Sequence, residues 1–236
     1  DRYTKVFLNG KKVEELLFIN YSKYETVTDF VVNIIIGQGR AWRVSSVLYD
    51  ASIIREHDIK FPEGHTAEDV VFNLEYLLNA NKISFIKYPT LNVNKRPDSV
   101  TATYQKNLLD TYLFIDKKAR SFIEKTGYDE THGNVAINSL MCRNAILLID
   151  SEMSIENKKT IKEKIKKVHS ILDIPRVKES FKQKEFIHPY WNSVIKIYYI
   201  VLMRILIRYK LRLGAILLAI LSNKLRNWFL HNNNDI

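Results

Sequence analysis

The chain has 236 residues, 36 Lys and Arg against 26 Asp and Glu, a net charge of +10 and 46% hydrophobic residues. These are the values of a globular protein long enough for one large domain or two small ones. Seven glycines and five prolines exclude a collagen-like or low-complexity chain, and a single cysteine, Cys142, excludes a disulfide framework and a multi-cysteine zinc site.

The charge is segregated. Residues 1–157 hold 19 basic and 21 acidic residues, a net of −2, whereas residues 158–236 hold 17 basic and 5 acidic, a net of +12. A near-neutral module followed by a basic region with its own partner is expected, in place of a uniform basic coat of the kind nucleic acid favours. No apolar run approaches the roughly 20 residues of a membrane span. The opening Asp1-Arg2-Tyr3-Thr4 has neither an initiator Met nor a signal-peptide pattern, so a fragment or trimmed product is expected.

In chain order, Thr28 or Asp29 is placed to cap a helix through Phe30, Val31, Ile34 and Ile35 that Gly37 stops. Residues 44–49 read as a short strand and residues 52–57 as a short helix. Thr66 opens a stronger helix with Val70, Phe72, Leu74, Leu77 and Leu78 on its apolar side. Residues 83–88 are β-branched and aromatic and read as a strand, and Lys95-Arg96-Pro97-Asp98-Ser99 has turn chemistry. Beyond about residue 101 the pattern is helical throughout: Tyr104 to Leu113, then Val135 to Ile149, a Lys-rich helix from Ser154, and a further helix with Pro175 in its first turn. The fold expected is therefore α/β followed by an all-helical C-terminal extension.

The chemistry gathers around Phe61-Pro62-Glu63-Gly64-His65-Thr66-Ala67-Glu68-Asp69-Val70-Val71-Phe72. Taken alone, Thr66 and Asp69 approximate a capping box, and acids in a first turn offset the helix dipole. The wider order is a strand, Ser52-Ile53-Ile54-Arg55-Glu56-His57, Phe61, the acidic pair, a strand ending at Tyr88-Pro89, and then Arg96, Ser99 and Thr101. This series resembles the second half of the catalytic domain of bacterial family 2 glycosyltransferases, over about residues 40–105.

The resemblance implies a partial GT-A-like nucleotide-diphospho-sugar transferase domain that passes a sugar from a nucleotide-sugar donor to a glycan or lipid-linked acceptor, with inversion, in polysaccharide or capsule biosynthesis. It implies Asp69 as the general base on the acceptor hydroxyl and Glu68 as its orienting neighbour. Arg96, in a turn that faces the donor diphosphate in that family, and Ser99 beside it are implied as substrate-binding, with Trp42 and His65 as further contacts. A helix N-terminus is expected to hold such a carboxylate ionised.

Such enzymes hold a Mg²⁺ or Mn²⁺ through an Asp-x-Asp motif, which this chain lacks, so the metal ligands are expected outside it and the chain alone is expected to be inactive. The implied organisation is an acceptor-side half at 1–100, a helical extension at 101–190, and basic amphipathic helices at 191–236.

Residues 192–230 hold seven basic residues and no acid. Lys196, Arg204, Arg208 and Arg212 fall on one helical stripe, while Val201, Leu202, Ile205, Leu206, Tyr209, Leu213, Ile216, Leu217 and Ile220 form an apolar side. The longest uncharged run is 11 residues, about half a span. This pattern predicts a helix lying in an anionic membrane surface, with Trp228 and Phe229 at headgroup level, and a cytoplasmic protein peripheral on the inner face of the cell membrane. The alternative is a non-enzymatic membrane- or partner-binding adaptor in which Glu68 and Asp69 only cap a helix. A nucleic-acid partner is not expected, because the charge lies beside an apolar stripe without base-stacking aromatics.

Overall fold

The computed structural model describes residues 3–8, 11–16, 24–39, 43–45, 47–64, 67–85, 89–94, 104–188 and 194–232. Strands β1 (Tyr3–Leu8), β2 (Lys11–Leu16) and β3 (Pro89–Asn94) form a small sheet in the order β2-β1-β3. β1 pairs antiparallel with β2 and parallel with β3, with a register shift in each pairing. Everything else of regular structure is helical: α1 (Val27–Phe30) continuing into a π-helical segment (Val31–Gly37), α2 (Ala51–Glu56), α3 (Glu68–Asn79), α4 (Leu108–Thr126), α5 (Glu130–Met153), α6 (Ile161–Asp173), α7 (Pro175–Lys182), α8 (Val194–Arg208) and α9 (Arg212–Asn232).

This overturns the α/β, partial GT-A-like class expected for the first part of the chain. Helices dominate the described residues, and the packed layers are helix on helix. Residues 44–45 and 47–49 are not a strand; Leu48 is fully exposed, while Tyr49 packs on α3. Residues 83–85 are not a strand either, and their apolar side chains, Ile83 and Phe85, pack against the main core instead of entering a ladder. Residues 86–88 and the turn at 95–99 lie outside the described residues.

Capping chemistry accounts for the helix boundaries. Thr26, not Thr28 or Asp29, caps α1 by accepting from the Asp29 amide at 3.0 Å. Asp50 caps α2. Residues after Ser154 turn before Thr160 opens α6 with a full capping box to Glu163, and Pro175 occupies the first turn of α7. Gly127, at φ +60, closes α4.

Two apolar cores share α5 as a common spine. In the first, the π-helical segment, α3, α4 and the first half of α5 bury Val31, Ile35, Val70, Ile115, Phe122 and Leu140 among others. The first core therefore crosses residue 100, where the sequence pattern changes class. In the second, the latter half of α5, including Cys142, meets α6, α7, α8 and α9 around Ile146, Ile149, Val168, Val177, Met203 and Ile216. A buried ion pair joins the two: Arg176 of α7 donates through Nε and Nη2 to Asp116 of α4, both at 2.8 Å, and through Nη1 to Asn138 of α5 at 2.7 Å.

Candidate functional site

Glu68 and Asp69 are the first two residues of α3. The chain reaches them through a turn at Glu63 and Gly64 (φ +75), and Ala67 adopts a left-handed conformation at φ 62. The N-cap position is Ala67, with no side-chain cap, and Thr66 of the expected capping box lies outside the described residues.

The helix behind the pair is held firmly. Val70, Val71 and Leu74 enter the first core, while Phe72 and Tyr76 anchor a smaller cluster with Ile59, Tyr49, Ile53 and Ile54. Tyr49 donates to Asn73 Oδ1 at 2.6 Å, the Asp50 amide donates to Tyr76 Oη at 2.8 Å, and Lys118 of α4 bonds Glu75 at 2.6 Å. The half-exposed Phe61 ring stacks on Phe72, one turn along from Asp69, with 4.2 Å between centroids. A carboxylate on such a platform has little freedom to wander.

Glu68 is exposed and Asp69 is half-buried. Burial and, secondly, the neighbouring Glu68 charge push the Asp69 pKa above its ordinary value, against weaker opposition from the Val70 amide and Arg43. The expectation that the helix terminus would hold it low is therefore reversed: desolvation and like-charge repulsion outweigh the dipole. The shift makes Asp69 a better proton acceptor than an ordinary surface carboxylate.

Of the other predicted site residues, Trp42, His65, Arg96 and Ser99 lie outside the described residues. Among the described residues, no three His, Cys, Asp or Glu side chains gather to hold a metal.

Sequence reasoning missed Arg143. It sits in the buried middle of α5 and donates to the carbonyls of Gly37 at 2.8 Å and Ile36 at 3.2 Å, closing the end of the π-helical segment. Gly39, at φ +67, packs so closely that a Cβ there would lie 2.6 Å from the guanidinium. A lone arginine inside the run Met141-Cys142-Arg143-Asn144-Ala145 was the available signal, since unpaired charge is excluded from cores.

The C-terminal basic stretch forms a hairpin of two helices, α8 and α9, broken where Lys210 takes φ 60. Three of the four cations of the predicted stripe turn toward the protein. Arg204 donates to the carbonyls of Gln183 and Lys184, at 2.5 and 2.8 Å, and Arg208 donates to that of Gln183 at 2.9 Å. Arg212 bonds Asp173 at 2.8 Å. The apolar side divides. On α8, Ile200 and Met203 are buried, whereas Ile195, Tyr198, Leu202 and Ile205 are exposed on the opposite side, followed by the exposed Tyr209 just past its end. On α9, Ala215, Ile216 and Ala219 are buried, and Leu213, Leu217, Leu221 and Leu225 are exposed at steps of four. No described helix is long and apolar enough to cross a membrane.

Comparison with protein families, with curated proteins and with solved structures finds no match to this chain.

Proposed function

We propose that this chain is part of a glycosyltransferase that moves a sugar from a nucleotide-sugar donor to a glycan or lipid-linked acceptor, with Asp69 as the general base. The observation that carries the reading is the placement of Asp69: half-buried, raised in pKa, and fixed at the start of a well-anchored helix. In the reaction, the Asp69 carboxylate takes the proton of the acceptor hydroxyl as its oxygen bonds to the anomeric carbon. The bond from that carbon to the nucleoside diphosphate breaks on the opposite face, which inverts the centre. Glu68 sustains the basicity of Asp69 through its charge. A peripheral position on the inner face of the cell membrane belongs to the same proposal, since it brings the base to lipid-linked acceptors.

The test is Asp69→Asn in a protein that joins this chain to a nucleotide-sugar-binding segment. A fall in kcat on the order of a thousandfold is expected for loss of a general base. Activity within a few-fold of the parent would remove Asp69 as the base. The apolar face left bare on α8 and α9 favours a second reading, a non-enzymatic membrane- or partner-binding adaptor. Retained activity and no sugar transfer at all are the two results that would move the assignment, the second toward the adaptor.

A further inference from the structure

The α8–α9 hairpin is attached by one side only. Its buried residues point at α5 and α7, and the residues opposite them are large, apolar and uncovered: Leu217 is 61% exposed and Ile195 81% exposed. The four leucines of α9 run from Leu213 to Leu225, a ridge of about 18 Å along the helix axis at about 1.5 Å per residue step. The outward side of α8 likewise carries exposed large apolar residues, Ile195, Tyr198, Leu202 and Ile205. Isolated exposed leucines are ordinary on a protein, but a contiguous face of this extent marks an interaction site.

Charge selects the occupant. Among the described residues of the hairpin, the exposed charges are Lys196, Lys210 and Lys224, and all are positive. Residues 192–230 contain no acid to offset them. Lys224 lies between Leu221 and Leu225, and Lys210 lies in the break between the helices, where long aliphatic stems let ammonium groups reach headgroup phosphates while the leucines enter the acyl boundary. Pairing with a second copy of the chain would bring these lysines together without counter-charges.

We infer that the leucine face of α9, with the matching face of α8 and Lys210 and Lys224, docks this protein flat on an anionic lipid leaflet. The arginines that the sequence suggested for that task are instead bonded within the fold, so three lysines and the leucines carry it. The inference deepens the membrane location proposed above and does not depend on sugar transfer, because vesicle binding needs no reaction.

The experiment is flotation of the full chain with phosphatidylcholine vesicles, with and without phosphatidylglycerol, alongside sedimentation velocity without lipid. Binding is expected only with phosphatidylglycerol, and it should weaken as salt rises. The double variant L217E/L221E is expected to lose binding by a hundredfold or more, at roughly tenfold or more per leucine. K210Q/K224Q keeps the apolar face and is expected to lose roughly fivefold per lysine. Both pairs are exposed, and unchanged helical circular dichroism identifies a folded variant. Absence of binding to either vesicle, equal binding to both, or a dimer that L217E/L221E dissolves without any vesicle binding would each overturn the inference. Loss of sugar transfer by D69N with vesicle binding intact leaves it standing.

Discussion

The two cores that share α5 are built from the same kinds of residue but end differently. In the first, each amphipathic element has a partner: α3 and the π-helical segment close over α4 and α5, and Arg143 ties off the buried carbonyls of Ile36 and Gly37. In the second, α5 is enclosed by α6, α7, α8 and α9, yet α8 and α9 keep a second apolar side that none of the described residues covers. The difference separates a region whose apolar helix faces are covered from one that leaves an apolar side exposed.

The largest effects are expected at the joint between the cores and at Arg143. Asp116→Ala takes from the largely buried Arg176 its closest anion, leaving only the exposed Glu179, and should destabilise the chain by about 3 kcal/mol in urea unfolding. If the two cores then melt separately, they are independent units and the joint is their coupling. Arg143→Ala should cost about 3 kcal/mol, through two unpaired carbonyls and a cavity. Hydrogen exchange should show that loss first in the π-helical segment and α3, with α8 and α9 protected as before; equal loss in both cores would break the comparison. Thr160→Ala removes one capping box and should cost about 1 kcal/mol, felt in α6.

The smallest effect is a pH dependence at Asp69. Its folded pKa lies above the unfolded value, so the folded state holds the proton more tightly. Its contribution to stability is present below the unfolded pKa and is lost as pH rises through the folded one. For the proposed sugar transfer the sign is opposite, because the base must be ionised: kcat/KM should fall as pH drops through the raised pKa. Glu68→Gln removes one cause of the shift and should move that acid limb to lower pH. An unmoved limb would show that a group other than Asp69 titrates there.

Much of the helical part was legible because its signals are local. Pro175 at the start of α7, Gly127 after α4 and the apolar spacing of α5 act through one turn of chain at a time. Residues 44–45, 47–49 and 83–85, expected in strands, form none because β-rich composition reports a side chain that wants burial, not a ladder. Tyr49, Ile83 and Phe85 obtain their burial from helices: Tyr49 packs edge-on against Phe72 and Tyr76, and Phe85 against Phe30. The acidic pair was found at the start of its helix, but the sign of the Asp69 shift depends on depth, which spacing does not encode. The arginine stripe misled for a similar reason. Carbonyls left free after α7 need donors, and a chain segment more than 15 residues away supplies them.

Cys142 turns the second core into its own reporter. The thiol is fully enclosed, and burial pushes its pKa up to about 12, so almost no thiolate exists in the folded protein at neutral pH. An aromatic disulfide reagent can label it only when α5 parts from α8 and α9. With one thiol in the chain, the labelling rate becomes a single-channel clock for that opening, and lipid binding on the outer face should slow it.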